Sequence, residues 1–254
     1  MGKKSKPQNA AVESGRPEFF PLIVGAHATL LGFTTLFLPR TSEMPFFEFL
    51  KPTVDEIRLT SRDRPQHSFL DALTLSPTAT LAWICIGAVV LQSWWGGWLR
   101  ARSKSEGPLG HAWLTTAAFS ALLYIIVVLF GAPLLTHISQ TALLTVLLAI
   151  LVIFPPACIF GAPLEAEVAA AWVRVFTEFS PRTPVERAVL YSAVGTLVGA
   201  WMGAIPIALD WDRPWQAWPL TPAFGAILGH ILASIGALIA NGTDLSSTGK
   251  VKTS

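Results

Sequence analysis

The sequence predicts an all-α polytopic membrane protein with six transmembrane helices and one amphipathic helix on the cytosolic side. Apolar residues make up 52% of the 254-residue chain and charged residues only 13%, about half the charge of an ordinary globular domain. The mean hydropathy is +0.53. The apolar residues also fall in blocks of about 20, the length at which a helix crosses the hydrocarbon core.

The first block, 19–38, follows a polar, basic tail over 1–18 that is expected to be disordered. It is too long for a signal-peptide core and lacks a nearby A-x-A site, so it is read as a retained helix. Further blocks at 77–99, 112–130, 138–160, 187–205 and 219–240 complete a six-span membrane domain over 19–240, followed by a tail over 241–254. The first connection, 39–76, carries "MPFFEFLKPTVDEIRL", whose aromatic run between prolines is placed at the membrane surface. In the connection 161–186, Leu164, Val168, Trp172, Val175, Phe176 and Phe179 recur at helical spacing, while Glu165, Glu167, Arg174 and Glu178 fall mostly elsewhere. That pattern predicts an interfacial amphipathic helix. "GAPL" follows an apolar block twice, at 131–134 and 161–164, where glycine and proline end helices for backbone reasons.

Lys and Arg set the orientation. Twelve lie in the N-terminal tail, the second and fourth connections and the C-terminal tail; six lie in the first and fifth connections. Both termini are therefore predicted cytosolic. The first connection also carries six acids, which removes any positive bias there.

A net charge of +2 provides no broad field for nucleic acid. Cys85 and Cys158 lie within apolar blocks without metal-ligand spacing, and read as small buried hydrophobes. No HExxH, P-loop or GxSxG motif occurs. His27 and His230 are the main polar groups inside spans. Each reads either as a neutral histidine hydrogen-bonded within the bundle or as a proton or substrate site, and neither has an ionisable neighbour in sequence.

"GTLVGAWMGA" spaces Gly195, Gly199 and Gly203 four residues apart on the fifth span, and the sixth offers Gly225 and Gly229. In lipid, close backbone approach over small residues replaces the hydrophobic driving force, so the two spans are expected to pack tightly.

"LDWDRPWQAWP", 209–219, joins them. Asp210 and Asp212 form an Asp-x-Asp, which can hold a divalent metal. Arg213 follows directly and can pair either carboxylate, and no further acid occurs before Asp244. A metal site from this loop alone would lack ligands. Burying three charges at mid-membrane costs roughly 8–10 kcal/mol on insertion scales, and tryptophan favours the interface. The loop, with Asp210, Trp211, Asp212, Arg213, Trp215, Gln216 and Trp218, is therefore placed at the lumenal headgroup level. There it forms an ordered corner that serves either folding or contact with a partner or lipid.

The run "GAWMGAIPIALDWDRPWQAWP" over 199–219 strongly resembles the PIG-F family, in its fungal-type form. "VLFGAPL" after the third span, "WVRVF" after the fourth and "DWDRPWQ" before the last helix agree. The resemblance covers roughly 110–235 well and the first span more loosely. It implies a small, non-catalytic subunit in the endoplasmic reticulum membrane that binds and stabilises large glycosylphosphatidylinositol (GPI) ethanolamine phosphate transferase subunits, PIG-O-like and PIG-G-like. Those subunits carry a lumenal, metal-dependent domain that moves ethanolamine phosphate from phosphatidylethanolamine to mannose of the GPI precursor. No catalytic residue, cofactor or metal is expected in this chain; membrane lipid is an expected partner and nucleic acid is not. Two other readings stay open: a membrane transferase using Asp210 and Asp212 with a divalent metal, and a small-solute transporter.

Overall fold

The computed structural model describes residues 19–40, 68–103, 108–209, 211 and 213–251. They form helices α1 (Phe19–Phe37), α2 (Ser68–Thr74), α3 (Pro77–Ser103), α4 (Leu109–Leu129), α5 (Ile138–Val152), α6 (Phe154–Phe160), α7 (Ala166–Phe176), α8 (Pro184–Ala204) and α9 (Leu220–Val251). Two 3₁₀ turns, Ile205–Ala208 and Pro214–Gln216, connect α8 to α9. Six stretches are long and apolar enough to cross a membrane: α1, α3, α4, α5 with α6, α8 with the first 3₁₀ turn, and α9 as far as Gly242. The tail 1–18 and the aromatic run 44–59 lie outside the described residues.

The fourth span is interrupted. α5 ends at Val152 and α6 begins at Phe154, because Pro155 and Pro156 lack the N–H that would continue the hydrogen-bond ladder and their rings crowd the preceding turn. α5 is nonetheless the centre of the bundle. Leu147 and Leu151 are fully buried and pack among Leu81, Ile84 and Ala88 of α3 and Ala223, Ala226 and Ile227 of α9. α1 leans on α9 and α3, whereas α4 packs mainly on α5 and α6 and keeps one long face outward. α8 and α9 form the most intimate pair.

Other boundaries move for local reasons. α9 continues past position 240 to Val251, since hydropathy marks where a helix leaves lipid and no proline follows to end it. α7 is shorter than its apolar periodicity. Leu164 and Phe179 fall outside it, and Phe179 adopts a positive φ of 50°. Within α7, Val175 is buried and Trp172 stacks on Phe119 at 6.0 Å, so the apolar face docks on the bundle itself. α2 has no counterpart in the sequence reading. It is held by the Phe69 ring, which meets Phe37 at 6.1 Å and lies 4.7 Å beneath the Arg40 guanidinium. Gly131 and Gly161, which open the two "GAPL" segments, both have positive φ (103° and 87°), a conformation only glycine adopts freely.

Candidate functional site

The site grows from the α8–α9 contact. A Cβ added at Gly195 would overlap the Gly229 carbonyl and Ala233, one at Gly199 the Gly225 carbonyl, and one at Gly203 the Thr221 carbonyl. Reciprocally, Gly225 and Gly229 face the Gly199 and Gly195 carbonyls. The two backbones thus run in contact along three successive turns, with no room for a single methyl group. Such contact maximises dispersion between helices where water supplies no drive to associate.

This clamp delivers the chain to a tight corner. The Gln216 side chain holds it: Nε2 donates to the carbonyls of Pro206 (2.6 Å) and Leu209 (2.7 Å), and Oε1 accepts from the Arg213 backbone N–H (2.9 Å). One amide therefore ties the descending arm to the ascending arm. Trp218 fixes the corner to the bundle by donating from Nε1 to Thr141 Oγ1, at the start of α5 (3.0 Å). Trp211 and Trp215 meet edge to face at 5.7 Å, and Trp211 remains 53% exposed. A shallow polar hollow of about 450 Å³ opens here, lined by Leu209, Arg213, Pro214 and Gln216 among others. Asp210 and Asp212 lie outside the described residues. Among the described residues, the Gln216 amide supplies the hydrogen bonds that order the corner.

A second polar set lies inside the bundle. The Thr196 hydroxyl donates to the Ser192 carbonyl (2.6 Å) and lies 3.0 Å from His230 Nδ1. With its proton so engaged, the hydroxyl oxygen accepts from His230, which assigns the proton to Nδ1. The His27 ring stacks on Trp95 at 5.0 Å and lies 5.7 Å from the His230 ring. Sequence separation hid this meeting of α1 and α9. Gln92, fully buried on α3, makes no side-chain hydrogen bond to the described residues, and neither does His27 Nε2.

At the opposite end from the corner, Arg174 of α7 grips Glu186 of α8 through two contacts of 2.9 and 3.0 Å. Glu186 also accepts from the Arg182 backbone N–H (2.7 Å), and its own N–H donates to Thr183 Oγ1 (3.1 Å). The hydrogen bonds that Arg174 donates to Glu186 hold its guanidinium above its usual pKa. The sequence reading missed this link, although "TPVE" at 183–186 has the Thr-x-x-Glu spacing of a helix-start capping box. Among the described residues, no three His, Cys, Asp or Glu side chains converge as metal ligands do.

The family described as "GPI biosynthesis protein family Pig-F" matches residues 66–238, which include the α8–α9 clamp and the whole corner. The chain belongs to the PIG-F family. This PIG-F member is 39% identical over 110 residues to the mouse "GPI ethanolamine phosphate transferase, stabilizing subunit", an alignment covering 43% of this chain and 48% of the mouse protein. It is 38% identical over 108 residues to the human protein of that name, covering 42% and 47%. It is also 39% identical over 140 residues to "Glycosylphosphatidylinositol anchor biosynthesis protein 11" of Neurospora crassa, covering 52% and 48%. The alignments thus span about half the length of these relatives. No solved structure matches this PIG-F chain.

Proposed function

We propose that this PIG-F member is a non-catalytic membrane subunit that stabilises GPI ethanolamine phosphate transferase catalytic subunits. It thereby supports addition of ethanolamine phosphate to mannose of the GPI-anchor precursor in the endoplasmic reticulum. The observation that carries the reading is the family match across 66–238 together with the mouse and human relatives named as stabilising subunits. The partners are large subunits of the PIG-O-like and PIG-G-like kinds, and the N- and C-termini face the cytosol. The corner of Trp211, Arg213, Trp215, Gln216 and Trp218, with Asp210 and Asp212, then lies on the lumenal side, where the partner's catalytic domain stands. Its aromatic exposure and rigid amide lock support a contact role there, with the Gly195–Gly199–Gly203 clamp holding the hairpin in place.

Co-purification in mild detergent tests this. The full chain is expected to bring down a large transferase subunit, and removing the chain is expected to shorten that subunit's half-life. A purified chain that transfers ethanolamine phosphate with no second protein present would overturn the proposal.

A further inference from the structure

α3 and α4 are neighbours in sequence, yet they are splayed apart because α6 packs between them. Gly96 makes room on α3: a Cβ there would come within 2.7 Å of both Phe154 and Cys158. On the other side, the Phe154 ring lies 4.0 Å from that of Trp113 on α4. Where α6 ends at Phe160, the wedge stops and a groove of about 410 Å³ opens between α4 and α6. Its walls are apolar, with Ala118 and Phe119 from α4, Ala157 and Cys158 from α6, and Leu164 at the rim. The Thr115 hydroxyl is already spent on the His111 carbonyl (2.9 Å).

The polar groups of the groove sit at its mouth. Arg100 comes from the last turn of α3 and His111 from the first turn of α4, so both stand where spans leave the hydrocarbon. Arg100 has no acidic partner among the described residues, and no described acid lines the groove. Leu164, 89% exposed, and Leu114, 70% exposed, flank the opening. A hollow of this size holds little more than one turn of a helix about 10 Å across, which disfavours a partner helix. An extended hydrocarbon chain with a negative group at one end matches both the walls and the mouth.

We propose that this groove binds one anionic glycerophospholipid, with an acyl chain along α4 and α6 and its phosphate at Arg100 and His111. The guanidinium offers paired N–H donors matched to phosphate oxygens, and the imidazole adds a further donor. The headgroup's net negative charge decides selectivity, since each cation near an anionic surface contributes about a fivefold preference.

Native mass spectrometry of the delipidated full chain tests the site, with phosphatidylserine and phosphatidylcholine of identical acyl chains titrated in turn. One phosphatidylserine is expected to be retained about five times better than phosphatidylcholine. Arg100→Gln is expected to erase most of that preference, whereas His111→Ala, which removes a phosphate donor common to both headgroups, is expected to lower retention of both lipids. Ala118→Phe, which fills the groove, is expected to lower retention of both lipids while the melting temperature stays near that of the wild type. Should the filled variant fail to fold, the two headgroup variants decide alone. Equal retention of both lipids, or a preference unchanged in Arg100→Gln, would overturn the proposal. So would displacement of the bound lipid by millimolar inorganic phosphate, which would mark a surface anion site only.

Discussion

The imidazole of His230 bonds to the Thr196 hydroxyl at 3.0 Å, joining α9 to α8 through a buried polar contact. The contact lies at the level where Gly195 and Gly229 touch. One pair of helices is thus held by shape and by a directional bond together. A double-mutant cycle of His230→Ala and Thr196→Val should give a coupling of about 0.6 kcal/mol, the average for side-chain hydrogen bonds between membrane helices. Unfolding in mixed micelles would measure it, and strict additivity would show that the bond contributes nothing beyond packing.

Gly199→Leu is expected to be much more damaging. Its side chain would meet the Gly225 carbonyl, a backbone atom that cannot rotate away, and overpacking of this kind costs about 1–3 kcal/mol or more. Gly236→Ala is the matched control, because its Cβ meets nothing within 4 Å. Removing a helix-interior glycine there should stabilise by up to about 1 kcal/mol. Melting temperatures moving in opposite directions would check the pair.

For the corner, Gln216→Ala removes three hydrogen bonds at once. The expected loss is about 1–3 kcal/mol, given that the site is partly open to solvent. Amide exchange over 205–217 should rise while exchange in α5 stays slow. Unchanged exchange there would show that the prolines alone hold the turn.

Glu186→Gln should loosen α7. The amide cannot keep both guanidinium contacts, and Glu186 is buried, so a global loss of about 1–3 kcal/mol is expected, the range for hydrogen bonds to charged groups. Faster protease cleavage between 177 and 183 is the sensitive readout.

Orientation needs a reporter other than the Asn241-Gly242-Thr243 sequon. Asn241 is buried and donates from Nδ2 to the Pro184 carbonyl at 3.1 Å, so a missing glycan there would say nothing about sidedness. A cysteine at Trp211 is expected to react only from the lumenal face, and one at the exposed Glu178 only from the cytosol. Reversed labelling would invert the proposed topology.

The number and rough limits of the spans were legible in the sequence, because the length and apolarity needed to cross a bilayer leave a local record. So were the glycine positions on α8, since a four-residue period places them on one face whatever that face meets. The corner was legible as a corner, from its prolines and tryptophans, but not by what holds it. In the sequence Gln216 is one amide among many, until the fold brings the Pro206 and Leu209 carbonyls to it. The break at Ile153 was written in Pro155 and Pro156, yet hydropathy reads through it. Everything that depends on two distant helices facing each other was decided only in three dimensions. That covers His27 meeting His230, Arg174 reaching Glu186, and α6 forcing α3 and α4 apart to leave a groove beneath Arg100. Sequence periodicity fixes which side of a helix is special, and only packing determines what stands opposite.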